Sequence, residues 1–150
     1  MYKVIVVGTD GSERAELAVT HALELAKISG AKLHVIQVAH PALTAGFSDS
    51  SGGQLEVDKL RDEAERRTAQ LRSQLLAEAG RSGVSAEMHN PVGEDVADTL
   101  VKTAGALGAD LIVVGNRGMA GMSRFVLGSV PNKISHHCSC NLLIVNTDTT

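Results

Sequence analysis

The runs Val4-Ile5-Val6-Val7 and Leu111-Ile112-Val113-Val114 are unbroken and β-branched, and they constrain this chain more than any other feature. A strand with one wet face alternates apolar and polar residues, whereas a strand covered by helices on both faces reads as a continuous apolar run. Further strand-like runs recur at 33–38, 84–88 and 142–145, with longer stretches of helical period between most of them. Strand and helix therefore alternate, and the expected fold is an α/β domain on an open, doubly wound parallel sheet of five strands. With 150 residues, 43% of them hydrophobic, the chain suits one such domain over residues 1–150.

The connecting segments carry their own start and stop signals. The first helix is expected to begin at Ser12, whose hydroxyl can cap it, to turn Ala15, Ala18, Val19, Ala22 and Ala26 to the sheet, and to stop at Gly30. Residues 54–79 read as a long amphipathic helix with Leu60, Ala64, Leu71 and Leu75 on one stripe and a solvated charged face. A third helix is expected from 93 or 94 to 107, with Glu94 and Asp95 in its first turn and Gly108 ending it. The stretch 39–53, with a proline, serines and three glycines, reads as a mobile loop without packed structure and a candidate lid. Within it Ser51-Gly52-Gly53 is similar to the phosphate loop of pyrophosphatase-type ATP enzymes, but that loop directly follows a first strand, so here it reads as linker.

Composition removes several function classes. Fourteen basic and 17 acidic residues give a net charge of -3 with no basic segment, which argues against a nucleic acid partner. The aromatics are Tyr2, Phe47 and Phe125, too few to build base-stacking platforms. No apolar run approaches the roughly 20 residues of a membrane span, and the N-terminus has no secretory pattern, so a cytoplasmic protein without membrane contact is expected. Cys138 and Cys140, one residue apart, read as reduced thiols; a metal site with His136 and His137 is the alternative, disfavoured because four donors at one helix end converge poorly on one ion. His21, His34, His40 and His89 are scattered over separate elements and read as ordinary histidines, and no metal site is expected from them.

The chemistry concentrates after the fourth strand, where the chain reads Gly115-Asn116-Arg117-Gly118 and, nine residues on, Gly128-Ser129-Val130. Glycines at the carboxyl end of a parallel strand let backbone N–H groups approach an anion, and this edge of an open α/β sheet is where ligands bind. Gly128-Ser129 then opens the last helix, with Pro131 tolerated in its first turn, so free N–H groups, a partial positive charge and the Ser129 hydroxyl face the same place. Arg117 adds charge, and phosphate is the natural anion.

The order Gly115, two residues, Gly118, nine residues, Gly128, Ser129 matches the motif G-x-x-G-x9-G-[S/T] and resembles the ATP-binding branch of the universal stress protein family. The resemblance extends over nearly the whole chain, through an opening strand that ends in Gly8-Thr9-Asp10-Gly11-Ser12, a second that ends in Gln37-Val38 and the closing strand Asn141 to Val145. It implies a Rossmann-like domain of the adenine nucleotide alpha hydrolase-like kind that binds ATP, with or without Mg²⁺. By that resemblance Gly8, Thr9 and Asp10 face the nucleoside end, Val38 offers its backbone to the adenine edge, and Gly115 lies against the ribose. Arg117, Gly118, Gly128, Ser129 and Val130 surround the phosphates. Gly8 and Arg117 are the positions at which the chain departs from residues common in the family. Read alone, Asp10 also suits a turn or cap before Ser12, a ribose hydroxyl, or Mg²⁺.

Three functional readings follow. The favoured one is an ATP-responsive switch in a stress or dormancy response, in which bound nucleotide orders the 39–53 loop and the glycine loop and alters association with a protein partner. The second is a slow ATPase or self-phosphorylating protein with Ser129 or a loop Ser or Thr as acceptor, although no catalytic base stands beside the phosphate loop. The third is an interaction module without nucleotide, against which the intact glycine motif argues. A homodimer is expected through the apolar closing strand, placed at the sheet edge, and a proline at Leu143 is expected to remove a ladder donor and yield monomers.

Overall fold

The computed structural model describes residues 1–44, 53–117 and 127–148. Five strands, β1 (Val4–Gly8), β2 (Lys32–Ile36), β3 (Ala86–His89), β4 (Leu111–Gly115) and β5 (Asn141–Val145), form one parallel sheet in the order β3-β2-β1-β4-β5. The helices are α1 (Glu13–Ser29), α2 (Pro41–Thr44), α3 (Gly53–Ser82), α4 (Val96–Ala106) and α5 (Ser129–His137).

Side chains on alternate strand positions split the core in two. Ile5, Val7, Leu33, Val35, Leu111 and Val113 face α1 and α3, meeting Ala18, Ala22, Ala26, Leu75 and Ala79. Val6, Ile36, Ile112 and Val114 face α4 and α5, meeting Ala97, Leu100, Ala104 and Ile134. Burial on both sides accounts for the unbroken apolar strands. The α1 boundaries agree with the sequence reading, since Ser12 accepts a hydrogen bond from Ala15 N–H and Gly30, at φ 68°, closes the helix in the left-handed region.

Four expectations need correction. The second strand ends at Ile36 and not Val38, because β1, its neighbour, ends at Gly8, the partner of Ile36 in the register. The third begins at Ala86 because Val84 N–H donates to the Ala79 carbonyl and still belongs to the turn that ends α3. Helix α4 begins at Val96, with Asp95 as its cap accepting from Asp98 N–H, which leaves Glu94 outside the helix. In α3 the face that meets the sheet runs through Leu71, Leu75 and Ala79, and Leu60 is 58% exposed, off the packed stripe.

The stretch 39–53 also differs from a featureless loop. Ala39 bridges Val92 in parallel, and α2 follows at once; residues 45–52, including Ser51 and Gly52, lie outside the described residues. Among the described residues no helix is long and apolar enough to cross a membrane.

Candidate functional site

From β1 the chain moves outward through β2 to β3, and from β4 it moves the opposite way to β5. The carboxyl ends of β1 and β4 therefore flank the point where the strand order reverses, and open α/β sheets bind ligands in the crevice there. A cleft of about 80 Å³ occupies this place. Gly8, Thr9 and Asp10 line it from β1, Val38 from beyond β2, Gly115 and Arg117 from β4, and Val130 from α5. Seven of the ten residues singled out from the sequence thus meet in one crevice. Gly118 lies outside the described residues, and Gly128 and Ser129 stand at the start of α5 beside the cleft. Ligand pockets occupy about 300–1,000 Å³, so the described walls enclose part of a ligand the size of a nucleotide.

The sequence reading missed the apolar floor, made by Ile36, Val96, Leu100, Val114 and Pro131. Val96, in the first turn of α4, faces this crevice and is 44% exposed. Leu100 reaches the floor because Gly8 has no Cβ, which would overlap Leu100 Cδ1.

The main chain around Val38 gives the cleft a polar edge. Along an extended strand the N–H and C=O of successive residues point to opposite sides. Gln37 N–H donates to the His89 carbonyl at 3.0 Å and Ala39 N–H to the Pro91 carbonyl at 2.8 Å, both toward β3, while the Ile36 carbonyl accepts from Thr9 N–H on the β1 side. Val38 has the parity of Ile36, and β1 has already ended opposite it. Its N–H and C=O have no partner among the described residues and are directed to the cleft side.

At the other wall the glycines have structural reasons of their own. A Cβ on Gly115 would come within 3.0 Å of Thr147 Cγ2, and one on Gly128 within 3.1 Å of the Asn116 carbonyl oxygen. Gly128 N–H donates to that carbonyl at 2.9 Å, so this N–H is not free for an anion, contrary to the simple picture of a helix end with every donor open. The N–H groups of Ser129 and Val130 have no acceptor among the described residues and remain available. Asp10 carries out the turn role, its Oδ1 accepting from Ser12 N–H at 2.9 Å, and its side chain is exposed at the cleft.

Arg117 is not a free cation. Its guanidinium, 10% exposed, donates from Nη2 to Asp148 Oδ2 at 3.0 Å, and its Nε–H is buried without an acceptor among the described residues. The tail after β5 thus turns back over the start of the glycine loop. Asn116 Oδ1 accepts from both Thr147 N–H at 2.9 Å and Thr147 Oγ1 at 2.8 Å. Thr147 is fully buried, so an Asn116→Ala change strips two donors of their acceptor and is expected to cost about 2–3 kcal/mol in a urea unfolding experiment. A loss below about 0.5 kcal/mol would mean that this brace contributes nothing. Nothing in the linear sequence links 116 to 147, which is why neither was singled out.

The histidine reading also changes. His34 on β2 and His89 on β3 are not scattered, since the strand register brings His34 Nδ1 within 2.8 Å of His89 Nε2. The donors at 136–140 do not converge: Cys138 and Cys140 are free thiols, and among the described residues the one group of three with ligand atoms close enough for a metal lies elsewhere.

A single α/β domain with a crevice at the switch point of its parallel sheet, edged by Gly115 and the N-terminus of α5, is an open doubly wound domain of the kind that binds ligands at the carboxyl ends of its strands. Residues 1–146 match the sequence model of the Universal stress protein family, and the chain belongs to that family. It is 32% identical over 148 residues to the universal stress protein YxiE of Bacillus subtilis (strain 168), covering 97% of this chain and 99% of that one. A universal stress protein solved in complex with cAMP superposes with a TM-score of 0.70 at 29% identity, covering 98% of each chain. The universal stress protein of Archaeoglobus fulgidus, solved in complex with dAMP, shares the fold with a TM-score of 0.61 at 23% identity, covering 95% of this chain and 97% of that one.

Proposed function

We propose that this domain binds ATP in the cleft at the ends of β1 and β4 and acts as a nucleotide-responsive switch. The observation that carries the reading is the N–H and C=O of Val38, without a partner among the described residues, at a crevice with an apolar floor. An adenine edge offers one acceptor and one donor side by side, and this main-chain pair complements both. The base then rests on Ile36, Leu100 and Val114, while the phosphates run toward the N–H groups of Ser129 and Val130. The cAMP complex of a relative supports an adenylate as the ligand class.

The route from occupancy to response runs through α5. Its N-terminus meets the cleft, its C-terminus leads into β5, and the Asn116–Thr147 contacts tie the tail after β5 to the glycine loop. A ligand gripped at 129–130 therefore acts on the edge strand offered to a second copy or another partner, to the extent that it binds the two arrangements unequally.

Calorimetric titration with ATP tests the proposal, together with the rise in melting temperature that follows when a ligand binds the folded state alone. Absence of both at millimolar ATP would overturn it. Asp10→Asn sharpens the test, because the amide oxygen can still accept from Ser12 N–H while the charge is gone. If Asp10 holds a ribose hydroxyl, ATP affinity should fall by about 1–3 kcal/mol with the melting temperature of the free protein unchanged. If it holds Mg²⁺, the difference between parent and variant should disappear in a chelator. Equal binding with and without the metal would leave Asp10 as a turn residue.

A further inference from the structure

We propose a second site on this domain, a zinc site formed by His34, Glu87 and His89 at the β2–β3 edge of the sheet. All three side chains lie on the face that α4 and α5 cover. Leu33, Val35, Ala86 and Met88 point to the α1 and α3 side, and the alternate positions necessarily point to the other. None of the three lines the nucleotide cleft.

Their geometry is that of an unfilled three-ligand site. His34 Nδ1 and His89 Nε2 are 2.8 Å apart, and Glu87 Oε2 lies 3.6 Å from the first and 3.7 Å from the second. Ligands about 2.0–2.1 Å from a tetrahedral zinc stand about 3.3–3.4 Å from one another, so small side-chain adjustments of opposite sign bring the three pairs to that spacing. Two imidazoles with one carboxylate are a donor set suited to zinc, and the half-exposed Glu87 and His89 leave room for water in the fourth position.

The surroundings orient these donors. Lys32 Nζ donates to Glu87 Oε1 at 2.8 Å, which turns the other carboxylate oxygen to the histidines. His34 is nearly buried, and burial first, then the neighbouring His89 and Lys32, lowers its pKa. A neutral imidazole is the form that ligates. The 2.8 Å contact between the two nitrogens requires a proton on one of them, and ligation requires that proton to move to the outer nitrogen of its own ring. Bound zinc would fasten the edge strand β3 to β2.

The test is a zinc titration against a chromophoric chelator, with the whole chain carrying Cys138→Ser and Cys140→Ser so that thiols do not compete. One zinc per chain is expected, with a higher melting temperature in its presence. Glu87→Gln and His89→Ala, both at half-exposed positions, should each weaken zinc at least about tenfold and abolish the melting shift, while His21→Ala should do neither. Imidazole nitrogen resonances of His34 and His89 should move together on zinc addition. Undiminished zinc binding in the Glu87 and His89 variants, or no binding tighter in the parent than in them, would overturn the site.

Discussion

A Val38→Pro variant should lose adenine nucleotide affinity by about 10- to 100-fold while keeping its fold. Proline removes one N–H, and here that N–H faces the cleft and not a neighbouring strand, so no ladder bond of the sheet is broken. The residue before it, Gln37, is already extended and hydrogen bonded to β3, as a pre-proline residue prefers. What is lost is the donor to the base, which leaves an acceptor of the ligand unpaired in an apolar crevice, a cost of about 1–3 kcal/mol. Val38→Ala keeps the main chain and should bind within about threefold of the parent. Calorimetry on both variants, with circular dichroism as the fold check, separates backbone recognition from side-chain packing. Parent-like affinity in Val38→Pro would show that the base is held elsewhere.

The second large effect is expected at β5, which we propose pairs with β5 of a second copy across a two-fold axis. The two edges of the sheet differ in kind. On β3 the edge carries the Glu87 carboxylate, charge that discourages pairing, whereas Leu142, Leu143 and Ile144 on β5 are apolar and only partly buried. Two copies would cover these side chains and complete each other's backbone ladder. The register alters the proline position suited to a test. The Val145 carbonyl accepts from Asn116 N–H on the β4 side, so Leu143, two residues away, also faces β4, and Leu142 and Ile144 face outward. A proline at Leu143 would damage the sheet itself; Ile144→Pro removes an outward donor alone. Light scattering at micromolar concentration should give a dimer for the parent and a monomer for Ile144→Pro, with near-native circular dichroism in both. A monomeric parent, or a dimeric Ile144→Pro, would place the interface elsewhere or remove it.

These two cases mark how far the sequence could be read. Strand identity and order of elements were legible because the unbroken runs at 4–7 and 111–114 suit a sheet buried on both faces and the other runs alternate with helical stretches. Capping at Ser12 and Gly30 was legible because those residues act on their immediate neighbours. What involves residues distant in the chain was not legible. The pairing of His34 with His89, the grip of Asn116 on Thr147 and the ion pair of Arg117 with Asp148 all depend on register or on the path of the tail. The crevice followed the same division: its glycines and Asp10 announced themselves by spacing, but its apolar floor combines side chains of β2, α4, β4 and α5 with no motif to mark them. Gly115 and Gly128 were read as letting the backbone approach a ligand, and the structure also gives each a close packing neighbour, Thr147 for the first and the Asn116 carbonyl for the second.

The 2.9 Å bond from Gly128 N–H to the Asn116 carbonyl brings the chain back to the point from which it left. The residues on either side of 118–126 are therefore held together by the scaffold and not by the length of chain between them. Closing such a segment costs only about 0.6 kcal/mol more for each doubling of its residue count. A foreign peptide grafted in place of 118–126, with Arg117 kept on Asp148, should therefore travel on an intact sheet as a cassette.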